Sequence, residues 1–416
     1  MAKKTDKFVV GLDIGTTKTC AVVGEQTKEG SLKVIGIGKK ESQALKNGVV
    51  VNMDQMVASI KGAVHQAERM SGNKINEVYV GISGNHIKTL SSSSVVAVKN
   101  KEISVSDVKR VMDGAKTVIA SPGRYILHII PQEFIVDGQE GIKDPLGIMG
   151  MRLEAKVYII TGLMVCVQNI IKSCQESDLK VKDIILEPIA SSRAVLYPEE
   201  IELGVALVDI GGKTTNIAIF NNGSIRYVSS LNIGGAYITN DIALGLRTSL
   251  KNAEHIKLRY GCAYPSLIEE EKEIEIQNIG KDSSHSVSQH LLTEIVEARV
   301  EEICLMIKEG LKKTEGHTLG AGLVITGGSS QLIGLSEIAE EIFAMPVRIG
   351  NPYNISGLKE AIDNPSYSTA AGLAMNGLEK ENGSTYYNEE RYDSEKIKNW
   401  VSRMFNQAKN WLKESF

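Results

Sequence analysis

Long apolar runs are missing from this chain: nowhere in its 416 residues do the roughly 20 consecutive apolar residues of a membrane-crossing helix occur. Residues 1–7 are polar and basic, and no apolar stretch of secretion-signal length follows them. Cysteine is scarce, with five residues at positions 20, 166, 174, 262 and 304 and no Cys-x-x-Cys pair. That pattern excludes a thiolate zinc site and a disulfide framework, and fits a reducing cytoplasm. Neither sign of charge dominates, since 47 Lys and Arg against 50 Asp and Glu leave −3. A nucleic-acid binder would carry a basic face, so no nucleic-acid partner is expected. Aromatic residues make up only 5%, and both tryptophans lie beyond residue 399. What remains, 42% hydrophobic and 23% charged residues, describes an ordinary globular protein long enough for two to four domains, each with its own core.

Glycine, in contrast, is placed with purpose. Residues 9–23 read as an apolar strand, the turn Asp13-Ile-Gly15-Thr16-Thr17-Lys18, and a second apolar strand. Gly15 permits a sharp turn and close approach of a ligand, the threonines offer hydroxyl and N–H groups, and Lys18 adds positive charge. This inventory suits a phosphate. The carboxylate of Asp13 would be repelled by phosphate oxygens unless a divalent cation or its water shell lay between them, so the turn also implies Mg2+. The pattern returns at residues 205–219 as Asp209-Ile-Gly211-Gly212-Lys213-Thr214-Thr215 between two apolar strands. Two copies half a chain apart indicate a duplicated domain, because a solenoid repeats every few tens of residues. A third glycine element, Thr326-Gly327-Gly328-Ser329-Ser330, follows an apolar strand and precedes a helical pattern. Gly212-Lys213-Thr214 is no P-loop: Leu207 stands where the earlier glycine is required, and a strand follows where a helix should.

These three loops together resemble those of the actin, Hsp70 and sugar-kinase superfamily of two-lobed ATP-binding proteins. The resemblance implies an α/β, actin-like, duplicated ribonuclease-H-like fold. It further implies that Asp13 and Asp209 hold Mg2+ mainly through water, that both turns hold the phosphates of ATP, and that Gly327, Gly328 and Ser329 lie against adenosine. Glu187-Pro188-Ile-Ala190-Ser191-Ser192 and Ser368-Thr369-Ala370-Ala371-Gly372 resemble the two helices that cross between the lobes. In the same superfamily a Glu and a Lys in a segment like Ala253-Glu254-His-Ile-Lys257 reach the ribose and adenine, which adds Glu254 and Lys257. Gly234 and Gly235 open the helix that precedes it.

Periodicity divides the chain further. A helix is expected over residues 54–71, its inner face made by Met56, Ile60, Ala63, Val64, Ala67 and Met70, with Gly72 as its stop. The first lobe is expected at residues 1–84, 157–197 and 365–378, and the second at 198–230 and 320–364, with a subdomain at 231–319. Within that subdomain, Leu292, Ile295, Val296, Ile303, Met306, Ile307 and Leu311 predict the inner face of a long helix. Residues 85–156 form an inserted α/β module with strands near 87–98, 124–136 and 151–160 and a helix over 106–120. Its stretch 128–145 is expected to be rich in loops. Residues 379–394 have almost no aliphatic side chain and read as a disordered linker, spanning about 20–25 Å as a coil.

Beyond it, Ile397, Trp400, Val401, Met404, Phe405, Ala408, Trp411, Leu412 and Phe416 step by three or four and form one apolar stripe, flanked by Lys396, Lys398, Arg403, Lys409 and Lys413. A helix of this length, about 33 Å, fits the interfacial plane of an anionic bilayer.

An actin-like chain without actin's usual small subdomain, carrying instead a module with Pro131-Gln132-Glu133 and Gln139-Glu140-Gly141-Ile-Lys143-Asp144-Pro145, is similar to the FtsA family of bacterial cell-division proteins. That family ends in a membrane-targeting helix. The similarity implies polymerisation on the cytoplasmic face of the membrane at the division site, an FtsZ filament bound through the second lobe, and later division proteins at the module. The alternative is a small-molecule kinase using the same ATP cleft, which would need a further catalytic carboxylate. Gln168 and His86 are the nearest polar residues, and neither fits that role. A chaperone of the Hsp70 type would need a peptide-binding domain that is absent.

Overall fold

The computed structural model describes residues 8–116, 123–278, 283–312 and 318–382. Two sheets of matching topology dominate it. In the first lobe the order is Lys180–Leu186, Glu77–Ile82, Phe8–Ile14, Lys18–Gln26, Leu32–Glu41 and Ile355–Gly357. In the second it is Ser224–Leu231, Thr215–Asn221, Val205–Ile210, Leu323–Thr326 and Val347–Ile349. Each sheet sets an antiparallel hairpin beside parallel strands, so the internal repeat read from the two acidic turns is a repeat of architecture. Strands buried on both faces require near-continuous apolar sequence, and Val205–Ile210 is buried along its whole length.

The helix at Met53–Ser71 starts at Asn52, whose side chain accepts from the Gln55 N–H at 3.0 Å, and buries Met56, Ile60, Ala63, Val64 and Ala67. Met70 departs from the expected inner face and is exposed, its sulfur accepting from the Ile37 N–H at 3.3 Å while Ala67 and Ser71 lie against Gly36. Met306 is likewise exposed on the helix Gln289–Lys312, whose inner face is completed by Val300 and Cys304.

The inserted module is a four-stranded sheet ordered Lys88–Ala97, Arg152–Leu163, Arg124–Val136 and Gln139–Ile142, with the helix Val105–Lys116 on one face. Three expectations need correction here and nearby. Residues 128–145 are largely strand and hairpin instead of loop. Pro131 is accommodated because the pairing register shifts between Lys156 and Val157, opposite it, and a bulge tolerates a missing N–H. The strand Arg152–Leu163 carries the module's sheet past residue 156. Finally, Ile355–Gly357, expected in the second lobe, pairs with Leu32–Val34 of the first.

Glu187–Val195 and Ser368–Glu381 cross between the sheets and pack on each other. Their contact has almost no side-chain cushion: a Cβ on Gly372 would lie 1.7 Å from the Ala190 carbonyl oxygen, and one on Gly11 would lie 2.2 Å from that of Ala370. A single apolar cluster therefore runs from the first sheet through both helices to Leu207, Ala218 and Val324 of the second. The second helix also continues through Glu381, where a linker was expected from 379. Its last turn is pinned to the outer edge of the first lobe. Arg193 donates to Glu379 at 2.8 Å, Lys380 pairs with Asp183, Lys182 pairs with Glu381, and the Tyr79 hydroxyl reaches Glu381 at 3.2 Å. The amphipathic stretch 395–416 lies outside the described residues. Among the described residues, no helix is long and apolar enough to cross a membrane.

Candidate functional site: two acidic turns in one cleft

The twin turns are built alike. The Gly15 N–H donates to the Lys18 carbonyl at 2.9 Å, and the Gly211 N–H donates to the Thr214 carbonyl at 2.9 Å. Each follows an apolar strand that ends in a buried acid, Asp13 or Asp209. The turns face each other directly: the Lys213 N–H donates to Thr16 Oγ1 at 3.2 Å, and Gly212 lies against the Thr17 side chain, where a Cβ would be only 2.2 Å from Thr17 Cγ2.

The third glycine loop closes on the same point. Gly327 has φ +90, a conformation that disfavours side chains, and a Cβ there would meet Asp209 Oδ1 at 2.3 Å. Ser329 donates from its hydroxyl to the Gly211 carbonyl at 2.9 Å. Gly328 begins the short turn Gly328–Gln331. From the other side, the N–H groups of Gly235 and Ala236 donate to the carbonyls of Gly211 and Gly212 at 3.0 and 2.7 Å. Gly234 and Gly235 thus buttress the second turn through the start of the helix Gly235–Gly245. Lys257 donates to the Gly235 carbonyl at 3.2 Å, to Thr239 Oγ1 at 2.8 Å and to Glu254 Oε2 at 2.8 Å. Thr214 is buried at the cleft and Thr215 donates to the Ile233 carbonyl at 2.8 Å, which leaves Thr215 as a support.

Electrostatics set this cleft apart. Burial pushes the Asp13 carboxyl up to about 6; Lys18 opposes the shift and nearby Asp209 adds to it. Asp209 is also raised by burial, against a hydrogen bond from Thr369 Oγ1 at 3.2 Å and the charge of Lys18. A third acid joins them. Glu187, at the start of the bridging helix, is raised well above the ordinary glutamate value by burial and then by Asp13 and Asp209, while hydrogen bonds from Ser83 and Asn216 hold it down. Asn216 Nδ2 lies 3.3 Å from Glu187 Oε2, and its Oδ1 accepts from Ser230 at 2.9 Å. An acid at 216 would add a fourth carboxylate to this corner.

Against three carboxylates stands Lys18, whose ammonium is held by the Ser366 carbonyl and lies 5.1 Å from the centroid of the Tyr367 ring. Burial lowers its pKa. Excess buried negative charge, beside glycine-lined backbone, has the donor chemistry for a hydrated divalent cation with a polyphosphate. Among the described residues no three acids, histidines or cysteines converge tightly enough to chelate a bare ion.

Glu187 was not singled out as a site residue by sequence reasoning: the strand before it, Lys180–Leu186, carries three charged residues, and Glu187 opens a helix where Asp13 and Asp209 precede glycine turns. Thr369 lies in the motif read above as the returning helix but was not assigned to the site. Ser366 and Tyr367, in the turn just before that helix, carry no local signal, since they enter the cleft from some 350 residues after Lys18. His86 is buried, and burial and Arg124 lower its basicity; neither helps a kinase reaction.

Similarity to known proteins follows the same lines. Over 97% of this chain and 99% of the relative, the sequence is 44% identical to the cell division protein FtsA of Pseudomonas aeruginosa. The chain belongs to the FtsA family. The FtsA of Escherichia coli K12 is 36% identical over the whole of both chains. The family pattern described as cell division protein FtsA matches residues 206–372, and the one described as the SHS2 domain inserted in FtsA matches residues 84–161, the region read above as an inserted module. Among solved structures, the PilM-PilN type IV pilus biogenesis complex matches with a TM-score of 0.63 at 16% identity, covering 89% of this chain and 98% of that one. MreB5 of Spiroplasma citri bound to ADP matches with 0.53 at 15%, covering 90% and 98%. FtsA membership makes this a cell-division protein, and the structural matches agree with the actin-like two-lobed fold.

Proposed function

We infer that this cell-division protein binds ATP with Mg2+ between its lobes, assembles with further copies of itself, and ties an FtsZ filament to the cytoplasmic face of the membrane at the division site. The observation that carries the nucleotide part is the apposition of Asp13, Asp209 and Glu187 across two glycine turns. Asp13 and Asp209 would hold the water shell of the cation, Gly15 to Lys18 and Gly211 to Thr214 would hold the phosphates, and Gly327 to Ser329 would lie against the nucleoside. Glu254 and Lys257 stand next to that loop on the helix Leu250–Tyr260 and are the candidates for ribose and base. The cation would supply the positive charge that lets Asp13 and Asp209 lie beside phosphate oxygens, and the two turns, by holding one nucleotide between them, would fix the angle between the lobes. MreB5 of Spiroplasma citri, seen with ADP, and MamK, seen as a double helical filament, support nucleotide binding and self-assembly.

Attachment falls to residues 395–416, with Ile397, Trp400, Val401, Met404, Phe405, Trp411, Leu412 and Phe416 as the apolar face. Single helices of this kind bind weakly, and an assembly that presents many binds firmly. Sedimentation with phosphatidylglycerol-containing vesicles and Mg-ATP tests this directly. The full chain should pellet, and a chain ending at Ser394 should lose about tenfold or more of that binding. Equal pelleting of both would remove the anchoring role and leave the nucleotide site standing.

A further inference from the structure

The module's strand Arg124–Val136 lies against the edge strands of both lobes, Lys180–Leu186 of the first and Ser224–Leu231 of the second. The two contacts differ in kind. Toward the first lobe the module is rooted through backbone and buried groups: the Leu186 N–H donates to His128 Nε2 at 2.9 Å, and Arg124 donates to the His86 carbonyl at 2.7 Å and to Thr161 Oγ1 at 2.8 Å. Toward the second lobe, side-chain tips meet. Arg226 Nη1 donates to Gln132 Oε1 at 2.6 Å, while its Nε donates to the Asn221 carbonyl at 3.1 Å. Both side chains are half-buried, and a hydrogen bond from a charged donor is among the stronger ones. At the rim Lys143 pairs with Glu202 at 2.8 Å, both well exposed, and a pair of that kind adds little.

Behind this contact the lobes are not packed together. A cavity of about 330 Å³ separates Ser229 and Ser230 from Ser83, Asn85 and Pro188, with Asn216 in its wall. Its hydroxyls and amides are partners for water. Hydrated space yields where a close-packed core would not, so Ser224–Leu231 has room to shift. The same strand also reaches the acid corner of the cleft: Ser230 donates to Asn216 Oδ1 at 2.9 Å, and Asn216 Nδ2 lies 3.3 Å from Glu187 Oε2. Just beyond it come Gly234 and Gly235, where the second turn is buttressed. One strand therefore joins the module's hold on the second lobe to the phosphate end of the cleft.

We propose that Arg226 and Gln132 form a latch by which the inserted module keeps the lobes closed on Mg-ATP and sets how fast the nucleotide leaves. The latch rests on the nucleotide binding inferred above and describes its control. A ligand gripped by turns of both lobes leaves only when the lobes part. Parting displaces Ser224–Leu231 relative to the module, which stays with the first lobe, so the latch must open before each release. Linkage is reciprocal: bound nucleotide holds the latch shut as the latch holds the nucleotide.

The test uses the full chain with Mg2+ and fluorescent N-methylanthraniloyl-ATP, chased by excess ATP. Arg226→Met and Gln132→Leu should each speed release about threefold to tenfold. The double variant should be no faster than the faster single one, because both remove one contact. The opposite change fixes the latch shut. Lys143→Cys with Glu202→Cys, joined by a short bis-maleimide, should release the analogue about tenfold or more slowly than the same protein capped with N-ethylmaleimide. The native cysteines are all buried. Release at the wild-type rate from either single variant, additive effects in the double variant, or equal rates from joined and capped protein would each overturn the latch and leave the nucleotide site standing. A wild type that binds no analogue would overturn the site and the latch with it.

Discussion

Gly372→Ala is expected to cost about 3 kcal/mol or more and to lower the melting temperature by several degrees, although alanine is the better helix former by about 1 kcal/mol. The added Cβ would sit 1.7 Å from the Ala190 carbonyl oxygen. Nothing flexible stands there to yield, since the obstacle is the backbone of the other crossing helix. Relief requires Glu187–Val195 and Ser368–Glu381 to separate, and both sheets are packed on that pair. Gly62→Ala is the matched control. Its Cβ would meet only the Lys40 side chain, at 3.0 Å, which can swing away, so the helix Met53–Ser71 should keep or gain stability. Thermal melts of both variants decide the matter: a Gly372→Ala melt within a degree or two of wild type would show that the crossing is looser than described.

The second large effect concerns Asp13. In protein free of metal and nucleotide, Asp13→Asn should be more stable than wild type at pH 7.5 by about 1–3 kcal/mol, yet bind Mg-ATP about tenfold or more weakly. The sign follows from the shift. Burial raises the folded-state carboxyl from 3.8 to about 6, so the folded form holds the proton more tightly than the unfolded chain. Stability therefore falls as pH rises from about 4 to about 6 and stays reduced above that. Asparagine removes this penalty, and the advantage of the variant should vanish as pH drops toward 4. Calorimetric titration with ATP, with and without Mg2+, supplies the other half: wild-type affinity should depend strongly on the metal and that of the variant only weakly. A variant less stable than wild type at pH 7.5, or one with undiminished Mg-dependent binding, would contradict the assignment.

Much of this cleft was legible because its parts are local. An apolar strand, a terminal acid and a glycine turn occupy a few consecutive residues, and their recurrence at Asp209 marks the duplication. Contacts between distant segments were less visible. Glu187 becomes part of the acid group only when two hairpins and a helix meet, and Lys18 finds Ser366 and Tyr367 across the whole fold. Boundaries failed for a related reason: the strand Arg152–Leu163 serves the module along its full length, and Ile355–Gly357 returns to the first lobe through a pairing that no local pattern encodes. The polar composition after residue 378 suggested an early end to the last helix, yet Asp183, Lys182 and Arg193 hold Glu379 to Glu381 in place.

That final turn has a directional consequence. Tension applied to the chain beyond residue 382 would enter the folded protein at the outer edge of the first lobe, beside Lys180–Leu186. The ion pairs of Glu379, Lys380 and Glu381 would have to break there before any load reached the second.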